Sequence, residues 1–335
     1  MRAHGVRLGT ETLDHSSRVT YYDIFNGDAD GLCALHQLRL AEPREAVLVT
    51  GLKREVRLVE KVRAQSGDEL TVLDVSMQDN SEALLRLLAR GARCQYFDHH
   101  FPGDIPSHPN LHAVIDTSPD VCTGLLVDRY LRGIFRPWAV VAAFGDNLDE
   151  TARIAAAPLQ LSTQGIDRLA ELGRLLNYNG YGDALDDVVF PPATLYGVVS
   201  RYRDPFTLIE EESAFGALRQ SHADDLARAA ALKPLSETDG GAVYVLPNAA
   251  WSRRLSGTIA NNLARTHRER AHAVLVTRRD GGYTVSVRAP RARPIGADTL
   301  CRQFATGGGR AAAAGINLLD ESALDRFVAE FQRAF

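Results

Sequence analysis

The segment YYDIFNGDADGLCALHQLRL, residues 21–40, places a short run of strand-forming residues directly before an acidic, glycine-containing turn and a helical stretch. The same order recurs further along the chain. It predicts strands at Tyr21–Phe25, Ala46–Thr50, Leu70–Val75, Arg93–Phe97 and Leu111–Ile115, and helices at Gly31–Leu40, Arg54–Ala64 and Asn80–Arg90. Such alternation, with almost continuously apolar strands, is typical of a parallel sheet covered on both faces. The predicted fold class is therefore α/β.

The rest of the chain divides into a helical part and a second alternating part. From Leu125 to about Leu232 the pattern is mainly helical, with a helix at Gly165–Leu176, a turn-rich segment at Asn177–Asp183 and a stiff connecting helix at Ile209–Leu232. The second alternating part predicts strands at Ala242–Leu246, Ala273–Thr277 and Tyr283–Arg288, helices at Ser256–Arg265 and Ser322–Ala334, and a hairpin turn at Asp280-Gly281-Gly282. The sequence therefore predicts a helical connector followed by a smaller α/β domain.

The composition is that of an ordinary globular protein. The 335 residues are 45% hydrophobic and 24% charged, which argues against a disordered or coiled-coil chain. The longest apolar run, Trp138–Phe144, is far shorter than a membrane span, and the first twenty residues lack the apolar core of a signal peptide, so we expect a cytoplasmic protein. The scattered cysteines form no Cys-x-x-Cys pair and are expected to be small buried hydrophobes; they are Cys33, Cys94, Cys122 and Cys301.

Charge is distributed unevenly along the chain. From Leu235 to the end there are 14 arginines, no lysine and 9 acidic residues, whereas the preceding residues carry a net charge of −9. This asymmetry suits one domain that collects cations and another that binds phosphates. Accidental variation of the surface explains the charge distribution equally well.

Acidic residues and histidines follow the predicted strands. Because the carboxyl ends of parallel strands meet at one edge of a sheet, these side chains are expected to face one another. Taken singly, each aspartate is more typical of a turn or a helix cap, and Asp28 fits the N-cap of the helix that follows it. Together, carboxylates mixed with imidazole indicate a site for divalent ions such as Mn²⁺. The residues are Asp28, Asp30, Asp74, the tripeptide Asp98-His99-His100, Asp116 and Asp146.

This order of motifs resembles the DHH phosphoesterase superfamily, whose name is the tripeptide found here as Asp98-His99-His100. The resemblance implies two Mn²⁺ ions, with Mg²⁺ or Co²⁺ as alternatives. It assigns Asp28 and Asp74 to one ion, and places Asp74 between the two ions. The ligands of the other ion would be Asp30, Asp74, His99 and Asp146. His100 would face the substrate phosphate, and Asp98 and Asn26 are assigned to the catalytic site with it.

The C-terminal region resembles the substrate-binding domain that accompanies the DHH domain. Gly307-Gly308-Gly309-Arg310, followed by Ala313-Ala314-Gly315, matches its glycine-rich signature, and Arg288 in Ser286-Val287-Arg288 matches a substrate-contacting arginine. Glycines let backbone amides approach a phosphate or base, and an arginine adds a bidentate donor. The resemblance thus implies substrate binding by Gly307, Gly308, Gly309, Arg288 and Arg310.

Two positions depart from the family pattern. Many members carry a histidine shortly before the first aspartate motif, where this chain offers only Asn26, so Asn26 or water would complete the first ion's coordination. Arg310 stands where the family usually has histidine, which favours binding of phosphate over proton transfer.

These features predict a Mn²⁺-dependent phosphoesterase that hydrolyses phosphodiester or phosphomonoester bonds of short oligonucleotides, dinucleotides or nucleotide phosphates. The alternatives are a RecJ-like single-strand exonuclease and a nucleotide-binding regulatory protein with weakened catalysis. A dinucleotide-dependent oxidoreductase is disfavoured, because no Gly-x-Gly-x-x-Gly follows the first strand. The predicted domains are residues 18–190 for catalysis, 191–234 as linker and 235–335 for substrate binding. The sequence leaves a homodimer open and predicts no membrane partner.

Overall fold

The computed structural model of the protein describes residues 19–335. The predicted domain start at residue 18 lies outside this range. The first sheet has five parallel strands in the order β2-β1-β3-β4-β5. Its elements are β1 (Tyr21–Asn26), α1 (Ala29–Ala41), β2 (Val47–Gly51), β3 (Glu69–Leu73), α2 (Met77–Ala89), β4 (Arg93–Asp98) and β5 (Leu111–Ile115).

Both faces of this sheet are covered, as the sequence predicts. Phe25 and Phe97 are fully buried in a core shared with α1 and the helices that follow β5, whereas Ile24 and Tyr96 face a second core built with α2. Alternate residues of each strand therefore serve opposite cores.

The predicted helix at Arg54–Ala64 is wrong. Apart from one 3₁₀ turn at Val59–Lys61, the segment is irregular. Its valines favour extended backbone, and Asn80 of α2 satisfies its main chain by accepting from Val59 N (3.0 Å) and donating to Val56 O (2.7 Å). Leu58 and Val59 still pack in the second core. The apolar residues of this segment are therefore buried without forming a helix.

The middle of the chain is helical, as predicted, but two boundaries differ. The helix containing Gly165 runs to Gly180, through the predicted turn, because the Asn179 amide bonds to both N and O of Phe190 and fixes its end. The predicted connecting helix is broken at Glu212, whose side chain caps the helix that follows. The helices are α3 (Thr123–Tyr130), α4 (Arg136–Gly145), α5 (Asp149–Ala156), α6 (Thr163–Gly180), α7 (Pro192–Val199), α8 (Pro205–Glu211) and α9 (Ser213–Ala230).

The C-terminal region forms a mixed sheet of six strands in the order β10-β11-β9-β8-β7-β6, in which β7 and β8 alone are parallel to each other. The predicted hairpin around Asp280-Gly281-Gly282 joins β8 and β9, and both glycines have positive φ. The elements are β6 (Ser236–Glu237), β7 (Gly241–Leu246), α10 (Ala250–Thr266), β8 (Ala271–Thr277), β9 (Tyr283–Arg288), α11 (Ala297–Cys301), β10 (Gly307–Arg310), β11 (Ala313–Leu319) and α12 (Leu324–Ala334).

Arginines of the second sheet region contact buried aspartates of the preceding helices and loops. Arg253 and Arg279 both reach Asp187 (2.8 and 2.7 Å), and Arg254 reaches Asp225 (2.7 Å). All four cysteines are buried and unpaired, as predicted. No helix among residues 19–335 is both long and apolar enough to cross a membrane.

Candidate metal centre and substrate cleft

The two aspartates of the first motif are fixed by helix N-termini. Asp28 caps α1, with Oδ1 accepting from the backbone amides of Asp30 (3.0 Å) and Gly31 (3.2 Å). Asp30 accepts from the amides of Thr123 and Gly124 at the start of α3, both at 2.7 Å. Helix N-termini favour negative charge, so the fold stabilises both carboxylates where the sequence places them. The sequence leaves open whether Asp28 caps a helix or belongs to the acidic site. In the structure it does both.

Asp74 follows β3 in a left-handed backbone conformation, with φ of 59°. Such a conformation costs a residue other than glycine roughly 1–3 kcal/mol and persists where the surroundings impose it. Its N–H donates to Phe97 O (3.0 Å), and its side chain is almost fully buried. The turn directs the carboxylate toward Asp28 and His99.

His99 is the centre of the acidic cluster. Its Nδ1 donates to the carbonyl oxygen of Val121 (2.9 Å), so Nε2 is the ring nitrogen that faces the acidic residues. That Nε2 lies 3.5 Å from Asp74 Oδ1, 3.8 Å from Asp146 Oδ2 and 3.9 Å from Asp30 Oδ2. Three carboxylates around one imidazole nitrogen concentrate negative charge that favours a cation, and a second-nitrogen bond to a carbonyl is typical of metal-binding histidines. Ligand atoms of Asp74, His99 and His100 lie within 4.8 Å of one another, close enough to hold one metal ion, and Asp30 and Asp146 lie beside His99.

The charges in the cluster perturb one another. Burial, together with the charges of Asp30 and Asp28, raises the pKa of Asp74 well above its usual range. Burial and the charge of Asp30 likewise raise the pKa of Asp146 to about 6. Both pKa values are raised because negative charges lie close together, and a bound cation would neutralise that charge.

His100 is oriented by the aspartate that precedes the histidine pair. Its Nδ1 donates to Asp98 Oδ1 at 2.7 Å, and Asp98 has no solvent exposure. This hydrogen bond raises the pKa of His100. About half of the His100 side chain is exposed and lines a cavity of about 340 Å³, together with Asn26, Asp74, His99 and Asp146. Asp98 therefore contacts His100 and not solvent.

Asn26 and Lys53 complete this cavity. Asn26 accepts from Asp28 N (3.2 Å) and donates to the carbonyl of Lys53 (3.4 Å). The Lys53 ammonium donates to Asp28 Oδ2 and to Asn177 Oδ1 (3.1 Å) and lies 3.6 Å from Asp146 Oδ1. Burial opposes the charge on Lys53, but Asp28 and other nearby groups outweigh it and raise the pKa of Lys53 well above its usual range.

Several residues that line the cavity are absent from the sequence-based set, and Lys53 and Phe101 are two of them. Lys53 comes two residues after β2, so the rule that collects side chains at strand ends identifies it as well. Phe101 follows the histidine pair directly, lines the cavity and is 69% exposed, which is unusual for a phenylalanine. In contrast, Asp116 at the end of β5 contacts Ser118 and Arg129 instead of the other acidic residues.

The two predicted substrate arginines share one face of the second sheet. Arg310 pairs with Ala313 across β10 and β11, and Ala313 pairs with Arg288 across β11 and β9. Laterally paired residues point to the same face, so the arginines flank an alanine with their Cα atoms about 10 Å apart. Arg288 donates to Asn261 of α10 (2.8 Å), whereas Arg310 is exposed.

The adjacent row on this face is formed by Gly308, Gly315 and Ser286. A Cβ atom at Gly308 would meet open space. The glycine-rich segment is therefore a strand that presents bare backbone beside the two arginines.

Comparison with known proteins agrees with this architecture. Residues 238–335 match the DHHA1 domain. The exonuclease RecJ bound to manganese superposes with a TM-score of 0.61 at 18% identity, covering 94% of this chain and 89% of that chain. RecJ from Thermus thermophilus in complex with Mn²⁺ gives a TM-score of 0.54 at 18% identity, over 94% of this chain and 51% of that one, so this chain spans about half its length.

A weaker similarity is to the pGpG-specific phosphodiesterase PggH from Vibrio cholerae, with a TM-score of 0.49 and 13% identity over 95% of this chain and 100% of that chain. Curated protein sequences contain no match to the chain. The chain shares the fold of RecJ, and its residues 238–335 match the DHHA1 domain. The family resemblance and the fold class predicted from the sequence are confirmed.

Proposed function

We propose that the protein is a divalent-metal-dependent phosphoesterase that hydrolyses short oligonucleotides, dinucleotides or nucleotide phosphates. The observation that carries this proposal is the position of His99 Nε2, which lies within 4 Å of the Asp30, Asp74 and Asp146 carboxylates. His99, Asp74 and Asp146 line a cavity. The RecJ structures that share the fold are described with Mn²⁺. This agreement supports a metal-dependent reaction on phosphate esters.

The metal ligands proposed are Asp30, Asp74, His99 and Asp146, and the family resemblance adds Asp28 with Asp74 for a second ion. A donor set of carboxylates and imidazole favours Mn²⁺ over Mg²⁺. When bound, the metal supplies a Lewis acid for the phosphoryl oxygens and lowers the pKa of a water molecule that attacks phosphorus. The protein contributes ligands that are already oriented before the metal arrives.

In its protonated form, which the bond to Asp98 favours, His100 is proposed to donate a hydrogen bond from Nε2 to a phosphoryl oxygen of the substrate. Its Nδ1 bond to Asp98 fixes the ring and leaves Nε2 for the cavity. Asp98 then serves as a positioning residue, because it is fully buried and bonds to His100. Asn26 is proposed to hold the turn that carries Asp28 and to complete the site beside it.

Substrate recognition is proposed for Arg288, Arg310 and the bare strand of Gly307, Gly308 and Gly309. The arginines would bind a phosphate remote from the reacting bond, and the glycines would let backbone or a base approach closely. Phe101 supplies an exposed aromatic face beside His100 on which a base can stack. These contacts together suit a substrate that reaches from the metal site to the second sheet.

Arginines whose charge is already neutralised by aspartates weigh against a long nucleic-acid strand as the substrate. A cavity of about 820 Å³ lies between the two sheet regions and is lined by Arg278 and Arg279. Arg278 pairs with Asp280 (2.7 Å), and Arg279 pairs with Asp186 and Asp187 (2.8 and 2.7 Å). Arginines already neutralised in this way add little to the affinity for a polyphosphate backbone. This weighs against a RecJ-like processive exonuclease.

A substrate screen tests the proposal. The metal-free protein is supplied with Mn²⁺ and assayed on di- to decanucleotides, 3′-phosphoadenosine phosphate, cyclic dinucleotides and pyrophosphate. Metal-dependent turnover that is fastest for the dinucleotides or nucleotide phosphates is expected. Preference for the longest strands would favour the exonuclease, and binding of nucleotide without turnover would favour the regulatory alternative.

A further inference from the structure

Lys53 places a positive charge inside the acidic cluster. Its ammonium is enclosed by three oxygen-bearing side chains, those of Asp28, Asp146 and Asn177. About a quarter of the side chain is exposed, and the ring of Tyr181 lies 5.5 Å from Nζ. A lysine ammonium has three donors and no acceptor; two of these donors bond to Asp28 and Asn177, and Asp146 Oδ1 lies at ion-pair distance (3.6 Å).

The main chain around Lys53 is tied to the site on both sides. Its N–H donates to the carbonyl of Gly180 at the end of α6 (2.9 Å), and its own carbonyl accepts from Asn26. Gly180 packs so closely on Asp28 that an added Cβ would lie 2.8 Å from that of Asp28. The strand end, the helix end and the Asp28 turn therefore form one rigid setting for the lysine.

Asp28 has both carboxylate oxygens engaged. Oδ1 accepts the two backbone amides of the helix cap, and Oδ2 accepts from Lys53. In Asp146 the two carboxylate oxygens have different neighbours: Oδ2 faces His99, and Oδ1 faces Lys53. The cluster thus has two cation positions that share Asp146, and one of them already contains the ammonium.

We propose that Lys53 is a built-in second cation, so that the protein binds one divalent ion, at Asp30, Asp74, His99 and Asp146. Lys53 then replaces the ion that the family resemblance assigns to Asp28, and it positions Asp146 for the single ion. An ammonium is suited to this role because it is a compact point charge, unlike a planar guanidinium. Lys53 is one of only three lysines in a chain whose other basic residues are arginines. This inference deepens the proposed function and rests on it.

Metal binding by the full-length, metal-free protein tests this assignment by calorimetry and Mn²⁺ electron paramagnetic resonance. Wild type is expected to bind one Mn²⁺ per chain, with the spectrum of an isolated ion. Lys53→Ala frees Asp28 and Asp146 and is expected to bind a second Mn²⁺, with exchange coupling between the ions. Lys61→Ala, which removes an exposed lysine paired with Glu55, is the matched control and is expected to keep wild-type stoichiometry.

Two aspartate variants locate the ion without relying on Lys53→Ala. Asp28→Asn retains a side-chain acceptor for the helix cap and is expected to change the Kd for Mn²⁺ by no more than a few fold. Asp30→Asn is expected to raise that Kd at least about tenfold, the usual minimum for disturbing a metal site.

Each result has a distinct reading. Two coupled Mn²⁺ ions in wild type would overturn the role of Lys53 while leaving the proposed function intact. A single ion in both wild type and a folded Lys53→Ala protein would overturn the claim that the lysine excludes an ion, as would equal losses of affinity in the two aspartate variants. Absence of Mn²⁺ binding to wild type would overturn the proposed function itself.

Discussion

The two sheets present their functional side chains in contrasting ways. At the edge of the parallel sheet, Asp30 and His99 are each fixed by main-chain groups of residues far away in the sequence. At the glycine-rich edge of the mixed sheet, Arg288 bonds to a side chain of α10, and the side chain of Arg310 makes no hydrogen bond or ion pair with the described residues. The first edge is rigid and buried, and the second is open and adaptable.

This contrast separates chemistry from recognition. Groups that stabilise charge in a transition state act best when they are oriented in advance. Groups that bind a distant phosphate equally well in the ground and transition states lower KM and leave kcat unchanged. Substitutions at the first edge should therefore reduce kcat, and substitutions at the second edge should raise KM.

The largest effect is expected for Asp74→Asn. Asp74 faces both His99 and Asp28, so its loss should lower kcat by about 10²- to 10³-fold. Asn26→Ala should reduce kcat far less, because Asn26 bonds to main-chain groups of the turn. Steady-state kinetics with metal analysis measure both variants. Near-native kcat with intact metal content in Asp74→Asn would show that its carboxylate is not central.

Arg310→Ala is expected to raise KM for a dinucleotide by roughly 10- to 100-fold, the value of a charge-assisted phosphate contact. Turnover of p-nitrophenyl phosphate should barely change, because this small ester cannot reach the second sheet. Arg302→Ala is the matched control, since Arg302 already pairs with Asp298 at 3.5 Å. Equal losses on both substrates, at unchanged Tm, would contradict a binding role for Arg310.

Phe101→Ala sharpens the contrast, because Phe101 lies beside the metal site but is proposed to act in recognition. Loss of one stacked base costs about 1–3 kcal/mol, so KM for a dinucleotide should rise at least about fivefold with little change in kcat. Ile105→Ala, the control, removes another exposed apolar side chain that does not line the cavity. A fall in kcat on p-nitrophenyl phosphate would place Phe101 with the chemistry instead.

The smallest effect concerns the core beneath the first edge. Burial lowers the pKa of His36, on α1, to about 4, and its Nε2 donates to Tyr202 O (2.7 Å). Above about pH 6.5 the ring is neutral in both states; as the pH falls toward 4, the unfolded chain binds a proton that the folded one does not. Stability should therefore fall over this window by at most about 3 kcal/mol through His36. For His36→Gln, denaturant unfolding should show a free energy of unfolding that falls less steeply with decreasing pH than that of the wild type. An unchanged pH dependence would contradict this role of His36.

The fold was largely predictable from the sequence because its signals are local. Strands such as Leu111–Ile115 and Tyr283–Arg288 have the predicted bounds. Asp74 directly follows β3, whereas Asp146 follows the helix α4 and not a strand. The helix predicted at Arg54–Ala64 fails because Asn80, distant in sequence, satisfies the main chain of that loop. A periodic apolar pattern cannot distinguish a buried loop from a helix when the hydrogen-bond partner lies elsewhere.

The clustering of the candidate ligands was predictable from the sequence, but the contacts among them were not. The sequence brings Asp28, Asp74 and His99 to one edge, yet it does not reveal that Lys53 contacts Asp28. That contact depends on where β2 lies in the sheet and on Asn177, which the extended α6 helix carries into the site. Spatial order of strands and helix length are tertiary properties, so no local motif encodes them.

Reconstitution of activity with metal tests the central claim most directly. The protein is stripped with a chelator, and hydrolysis of a dinucleotide is followed during titration with Mn²⁺. We predict no turnover without metal and full recovery when the ion binds, with Asp74→Asn failing to recover. Undiminished turnover by the stripped protein in excess chelator would contradict the account.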